Sequence, residues 1–429
     1  MKVALIQPPN KTASLKVPPL GLAYLAAVLK QDGIPVKILD LNAQTASIDG
    51  YLLHEKPDVV GVTCTIANAV NAFEVAKQTK QVLPNSTVVF GGPYPSMMGA
   101  KLLEEHPEVD ASLVGEAEYT FLEFVKQLQA GKNLGSVGGL IYRKDNAVKT
   151  NPVLKPVLPL DQIPYPAREE LDMPLYKENM GTVFTSRGCP QQCVFCSRPV
   201  FGKLWRGHSP EYVLAEIEQL IKNYHISTLS VLDDNFTVDL NRAEQILDGI
   251  IAKKWKLGIY FWNGMRVDHI NEPLLTKLKR AGCTAINFGV ESVDPKVIGF
   301  IQKGVTLEQI EHAITLTKQA GIKANTFLMI GNPKDTAVSA GKLVDFVQRI
   351  QVDGVHLSMA TPILGTPFWD WVEQNGRWLN CDHEELLDWP IDDIEDAYPV
   401  FETADFTAQE RKSAYNKVRG FLDSQGLII

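Results

Sequence analysis

The chain has no run of about 18 apolar residues, so nothing in it is long enough to cross a bilayer as a helix, and integral membrane association is not expected. It also lacks a charged leader followed by an apolar stretch and a small-residue cleavage site, so export is not expected either. Positive charge is not in excess: 42 Lys and Arg stand against 50 Asp and Glu, for a net charge of −8. That balance argues against a general nucleic-acid surface or an anionic-membrane surface. Cysteines are few, six in 429 residues. With 45% hydrophobic and 21% charged residues the chain can build a core without staples, and its expected place is the cytoplasm, where thiols stay reduced.

Half of those cysteines are packed into eight residues: Cys189, Cys193 and Cys196 form a CxxxCxxC spacing after the short apolar run Thr182 to Thr185. Gly188, Pro190, Gln191 and Gln192 mark an exposed loop rather than a core strand. Three thiolates this close can hold a soft metal centre, and a cubane of four irons needs one ligand for each iron. One iron is then left open to chelate a small molecule. The same spacing also permits a zinc knuckle with His208 as fourth ligand, and hence a non-enzymatic Fe–S or zinc redox-sensing scaffold.

The rest of the chain alternates strand-like and helix-like segments. Val3 to Gln7, Val36 to Leu39, Val59 to Thr65, Thr87 to Phe90 and Ala111 to Val114 read as strands, separated by helical stretches such as Leu20 to Leu29, Ala67 to Val82 and Tyr119 to Leu128. This predicts an α/β, doubly wound, Rossmann-like (flavodoxin-like) domain over residues 1–138. In such a sheet a ligand sits past the carboxyl ends of the strands. There the sequence places Thr63-Cys64-Thr65, Gly91-Gly92-Pro93-Tyr94 and Gly115-Glu116, where glycines let a large flat ligand approach the backbone or simply make tight turns. Residues 139–180 read as a proline-rich linker with a hairpin near Lys144 to Ala147.

A second alternation of six βα units over 181–360 predicts a partial (β/α)6 TIM-type barrel, open rather than eightfold closed. Beyond its strands stand Asp233, Asp234, Asn235, Asn263, Arg266, Glu291, Ser292 and Gly331-Asn332-Pro333, a set suited to a zwitterionic, hydroxyl-bearing ligand. For Asp233 and Asp234 the plainer reading is helix capping and loop solvation. Residues 361–429 form a small, mainly helical C-terminal extension expected to cover the substrate side. Its Trp369, Trp371, Trp378 and Trp389 are expected to pack, its run Asp392, Asp393, Glu395, Asp396 to be solvated, Cys283 to lie in the core and Cys381 to be exposed.

CxxxCxxC with Phe195 just before Cys196 resembles the cluster motif of radical S-adenosylmethionine (SAM) enzymes. The resemblance implies that Cys189, Cys193 and Cys196 ligate a [4Fe-4S] cluster, that Phe195 lies near the adenine, and that an external one-electron reductant such as flavodoxin or ferredoxin serves the cluster. Gly289-Val290-Glu291-Ser292 looks like the family's GxES stretch, whose Glu contacts the methionine part of SAM. By the same resemblance Arg266 reaches the cofactor carboxylate, Gly331 lies in the segment beside the adenine, and Asp234 belongs to the SAM site. The stretches PPLGLAYLAAVL, ILDLN, GGPYPS and GEAEYTF together resemble the cobalamin-binding domain found upstream of many such enzymes. Its contacts would come from Thr63, Thr65, Gly91, Gly92, Pro93, Tyr94, Gly115 and Glu116. The DxHxxG loop of better-known cobalamin proteins is missing, because Asp40 is followed by Leu41 and Asn42; Asn42 is then the candidate on the lower face of the cobalt. The activity implied is methylation of an unactivated carbon of a small-molecule or lipid-like substrate through a 5′-deoxyadenosyl radical. Cyclisation, ring rearrangement or oxidation without methyl transfer, and an empty cobalamin domain, remain open alternatives.

Overall fold

The computed structural model describes residues 1–10, 16–145, 147–176, 179–379 and 397–429. Cys381, Trp389 and the acidic run at 392–396 lie outside the described residues. The chain divides into two compact units, the first of Met1–Thr182 with Arg198–Gly202, the second of Val183–Ser197 with the described part of 203–429.

The first unit runs β1 (Val3–Gln7), α1 (Leu20–Gln31), β2 (Val36–Asp40), α2 (Ile48–Glu55), β3 (Val59–Thr63), α3 (Ala69–Val82), β4 (Thr87–Gly91), α4 (Pro93–Met98), α5 (Ala100–Glu105), β5 (Ala111–Leu113), α6 (Glu118–Gln129), β6 (Leu140–Lys144) and β7 (Ala147–Thr150). Its sheet order is β2-β1-β3-β4-β5-β6-β7, with the first five strands parallel. The order 2-1-3-4-5 is that of the flavodoxin-like doubly wound fold, with its topological switch between β1 and β3. Strands inside such a sheet are covered on both faces, which is why VALIQ, VVGVT and TVVFG read as nearly unbroken apolar runs rather than as alternations. Helix α1 buries eight side chains from Leu20 to Leu29 and packs with Phe121, Phe124 and Val125 of α6 over one face of the sheet. Two findings differ from the sequence expectation. The hairpin expected near Lys144 to Ala147 forms, but residues 140–150, expected within a linker, pair antiparallel onto β5 as the last two strands of the sheet. The segment after Gly92 is helical in two pieces, α4 and α5, broken at Gly99 with φ +59°.

The second unit is entered through β8 (Met180–Val183) and continues as β9 (Ser186–Arg187), β10 (Arg206–Gly207), α7 (Pro210–Tyr224), β11 (Thr228–Val231), α8 (Leu240–Ala252), β12 (Gly258–Phe261), α9 (Glu272–Ala281), β13 (Ala285–Glu291), α10 (Pro295–Phe300), α11 (Leu307–Gln319), β14 (Lys323–Ile330), α12 (Ala337–Ile350), β15 (Gly354–Met359), α13 (Pro367–Asn375), β16 (Arg377–Trp378), β17 (Phe401–Glu402) and α14 (Ala408–Ser424). Strands β8, β11 and β12 form one sheet and β13, β14 and β15 another. The bridges Ile259 to Cys283 and Met265 to Phe288 join them into a six-strand open barrel. Local chemistry sets its helices: Ser209 caps α7 by accepting from the Tyr212 N–H, Pro210 takes the first helical position, and Val213, Ile217 and Leu220 turn inward. Cys283 is buried in this core, as expected. Beyond β15 the tail returns, and Ile428 bridges Val355 at the outer edge.

A tight spot in the first sheet can be tested. A Cβ on Gly61 would fall 2.8 Å from Leu5 Cδ2 and 3.3 Å from Phe121 Cζ. Gly61→Ala should therefore cost about 1–3 kcal/mol of stability, read as a lower urea midpoint with an unchanged slope.

Candidate cofactor sites

In the second unit the cysteine loop is closed at its base before any cofactor enters. Strands β9 and β10 pair antiparallel, Arg187 with Arg206 and Ser186 with Gly207, and so bracket residues 188–205. Beneath them Asp233, 3% exposed, accepts from the Thr185 N–H at 2.6 Å, the Ser186 hydroxyl at 2.6 Å and the Thr185 hydroxyl. Burial pushes its carboxyl up from the usual range, while these donors pull the other way. Asp233 is thus a fastening for β8, neither a helix cap nor a solvated loop residue: the following helix is capped by Asp239 instead. Its neighbour Asp234 is exposed and accepts from the Gly188 N–H at 3.1 Å, where Gly188 has φ +80°.

Cys189, Cys193 and Cys196 are all half-buried. The Asn235 side-chain amide donates to Cys189 Sγ at 3.9 Å, and Cys196 N–H turns back onto the Cys193 carbonyl at 3.2 Å. Between them Val194 is held on both sides, its N–H donating to Ile301 O at 3.0 Å and its carbonyl accepting from Phe368 N–H at 3.1 Å. Phe195 is half-buried on the same loop. Cys64 and Cys283, in contrast, are buried; burial pushes the Cys283 thiol up to about 12 and that of Cys64 well above its ordinary value, so both stay protonated. Among the described residues no three His, Cys, Asp or Glu side chains are gathered closely enough for a single metal ion. His208, the fourth donor of the zinc alternative, is fully buried with its ring stacked 4.0 Å from Tyr212. A loop with half-exposed thiols, a glycine entry and an amide donor to sulfur fits a cluster whose thiolates are tuned by N–H···S bonds.

Facing the same strand ends, β13 carries an irregularity between Gly289 and Glu291 that re-aims the glutamate. Glu291 has φ +63°, a left-handed conformation costing about 1–3 kcal/mol in a non-glycine residue. Its buried carboxylate pairs with Lys303 Nζ at 2.8 Å. Gly289 makes room for the pair, since a Cβ there would lie 2.7 Å from Glu291 Oε1 and against Lys303 Nζ. Ser292 is buried and its hydroxyl accepts from Asp294 N–H at 3.2 Å. Arg266 is placed differently from the expectation: it forks onto Asp268 at 2.9 and 2.7 Å and donates to the Lys303 carbonyl at 3.0 Å. Arg266 therefore braces the lysine that holds Glu291. Lys303 was not legible in the sequence, because nothing in its Gln-Lys-Gly-Val context marks a buried cation. Asn263 is exposed and donates to the Leu232 and Asp233 carbonyls at 3.0 and 3.2 Å. Gly331, at the exit of β14, has φ +96°.

In the first unit hydrogen bonds join the ends of β3, β4 and β5 into one rim. Cys64 N–H donates to Gly91 O at 2.8 Å, Tyr94 N–H to Cys64 O at 3.0 Å, and the Ser96 hydroxyl to Gly92 O at 2.9 Å while accepting from Gly115 N–H at 3.0 Å. Thr63, Thr65, Gly91, Gly92, Pro93, Gly115 and Glu116 all lie half-buried along it. Gly92, with φ +104°, is required by the turn itself: a Cβ would sit 3.0 Å from Cys64 O. At Gly91, however, a Cβ would meet nothing within 4 Å, so the missing side chain leaves the rim open, as a flat macrocycle lying on it would need. Tyr94 does not line this rim with its side chain. It is 1% exposed and packs edge-on to Phe73, because the first turn of α4 directs it inward. Asn42 follows β2, two strand spacings or about 10 Å from β3. Its amide oxygen accepts from Asn10 N–H at 3.1 Å. The preceding Asp40 organises this loop, accepting from Asn42 and Ala43 N–H and from the Tyr176 hydroxyl at 2.9 Å.

A family model described as "B12 binding domain" matches residues 8–125, and one described as "Radical SAM superfamily" matches residues 183–347. The chain is 35% identical, over 96% of its length and 90% of the relative's, to the Pyrococcus horikoshii protein named "Uncharacterized methyltransferase PH0819". It is 28% identical, over 81% of its length and 76% of the relative's, to the cytidylyl-2-hydroxyethylphosphonate methyltransferase of Streptomyces wedmorensis. Among solved structures it is similar in fold to the radical SAM methyltransferase TsrM of Kitasatospora setae with cobalamin and a [4Fe-4S] cluster bound, with a TM-score of 0.75 and 19% identity, covering 89% of this chain and 81% of that one. The chain therefore belongs to the radical SAM enzymes that carry an N-terminal B12-binding domain, whose cofactors are a [4Fe-4S] cluster, S-adenosylmethionine and cobalamin.

Proposed function

We propose that this enzyme methylates an unactivated carbon of a small-molecule or lipid-like substrate, and that the observation carrying this is a three-cysteine loop fastened at the mouth of a six-strand open barrel, in one chain with a glycine-rimmed flavodoxin-like sheet. When bound, the cluster and SAM supply a carbon radical strong enough to take hydrogen from a C–H bond with no acidic proton, and cobalamin supplies a methyl carrier. The chain's own residues do the holding. Cys189, Cys193 and Cys196 act as thiolate ligands, with Asn235 donating to Cys189. Glu291 accepts from the SAM ammonium and is held in place by its ion pair with Lys303, with Ser292, Asp234, Phe195 and the Gly331 segment as further SAM contacts. Arg266 serves this site by bracing Lys303. Thr63, Thr65, Gly91, Gly92, Pro93, Gly115 and Glu116 form the cobalamin face, with Tyr94 contributing its backbone. Residues 1–138 are the cobalamin domain, 181–360 the barrel and 361–429 the extension. As a radical SAM enzyme the protein needs an external electron source, for which a small flavodoxin or ferredoxin is proposed. The proposed compartment is the cytoplasm, where the three thiols stay reduced; no helix of the described residues is long and apolar enough to cross a membrane.

Oxygen-free reconstitution should give about four irons per chain, and Cys193→Ala should lose them; full occupancy by zinc instead would end this reading. Incubation with labelled SAM should yield both deoxyadenosine and homocysteine, while deoxyadenosine alone would point to radical chemistry without methyl transfer. Lys303→Met strands the buried Glu291 carboxylate and should cost about 3–5 kcal/mol, most of it recovered in the Lys303→Met/Glu291→Gln double variant by denaturant titration.

A further inference from the structure

The C-terminal helix reaches back into the second unit through one buried charge. Arg411 of α14 is 1% exposed. Its Nη1 donates to Gly331 O at 2.8 Å, and its Nε donates to Phe406 O at 2.9 Å. The guanidinium lies 4.1 Å from the centroid of the Phe401 ring and 4.8 Å from that of Phe406, a sandwich that favours a planar cation. Burial pulls its pKa down to about 10, so it remains charged at neutral pH. Gly331 is gripped at its other end too: its N–H donates to Oδ2 of the buried Asp335 at 2.9 Å. Asp335 is fixed in turn by the Thr336 N–H at 3.1 Å and by the Ser339 hydroxyl.

Both polar groups of this glycine are thus fixed from outside its own strand, one by an acid after β14 and one by a base about 80 residues later. The need for such a grip is visible in the loop. Gly331 sits at φ +96°, and a Cβ there would collide with Arg411 Nη1. The next residue, Asn332, is fully buried; its amide nitrogen donates to Met329 O at 3.2 Å, while its amide oxygen is unpartnered among the described residues.

We infer that Arg411 is a positioning residue for SAM: through the Gly331 carbonyl, the C-terminal extension sets the β14 exit loop in its binding conformation. This rests on the reading of the Gly331 segment as part of the SAM site. The extension expected to cover substrate therefore also supports the cofactor. An Arg-to-Lys change keeps the charge beside Asp335 but loses the planar fork that serves Gly331 and Phe406 together.

The test is equilibrium dialysis of SAM against cluster-loaded wild-type and Arg411→Lys protein, with iron content and melting temperature measured on the same samples. The expected result is a loss of SAM affinity of about 10-fold or more in a variant whose iron content matches wild type. A variant that is folded, iron-loaded and binds SAM as wild type does would overturn the inference. Should Arg411→Lys not be recovered folded, Phe401→Leu decides: it removes one face of the sandwich and leaves the charge. Weaker SAM binding at wild-type iron content supports the inference, and unchanged binding overturns it. If wild-type protein loads its cluster but retains no SAM, the functional reading on which the inference rests fails first, a distinguishable outcome.

Discussion

A carboxylate buried under the cysteine loop fixes the mouth of the second unit. Asp233 stands at the end of β11 and takes its donors from Thr185 and Ser186 at the end of β8. Removing a charged carboxylate from water costs several kcal/mol unless donors replace the lost solvent, so the two strand ends cannot separate without stranding it. The β9 and β10 pairing begins from that fastening, and the cysteines are presented between its two strands. Contacts to Ile301 and Phe368 then hold Val194 from both sides. The thiols are left half-exposed on a rigid base, the state a ligand loop needs.

The glutamate at the end of β13 follows the same logic, with a cation in place of neutral donors. A non-glycine residue at φ +63° persists only where its surroundings over-determine it. Here Lys303 supplies the counter-charge, Arg266 holds the lysine's backbone, and Gly289 leaves the volume. The first unit achieves its open face by other means. There backbone groups at the ends of β3, β4 and β5 satisfy one another through Ser96, so the rim is kept without large side chains. Gly91 leaves space above it.

Much of this was legible in the chain. Apolar runs separated by helix-length segments gave the first sheet, because strands covered on two faces lack polar alternation, and the strand–helix alternation gave the barrel, although β13 and β14 alternate in burial. The cysteine spacing stood out because three ligands in one loop is a local property. The errors were of another kind. The hairpin near Lys144 to Ala147 was legible, but not that residues 140–150 extend the first sheet, because the outer strand is mostly exposed and carries little apolar signal. Tyr94 sits in the right stretch, but a helical turn buries its side chain. Trp369 and Trp378 pack on each other at 4.5 Å, and Trp371 packs on Phe300, in line with the expectation that these rings are structural.

The sequence by itself determined the order of elements, the two-part architecture and which loop carries the thiols, since each depends on periodicity or on spacing within a few residues. Only the tertiary structure decided which charges meet. Glu291 with Lys303, across the α10 turn, and Gly331 with Arg411, about 80 residues on, are pairs selected because a buried charge or a fixed carbonyl demands a partner wherever the fold can deliver one. No local pattern in the chain encodes that demand.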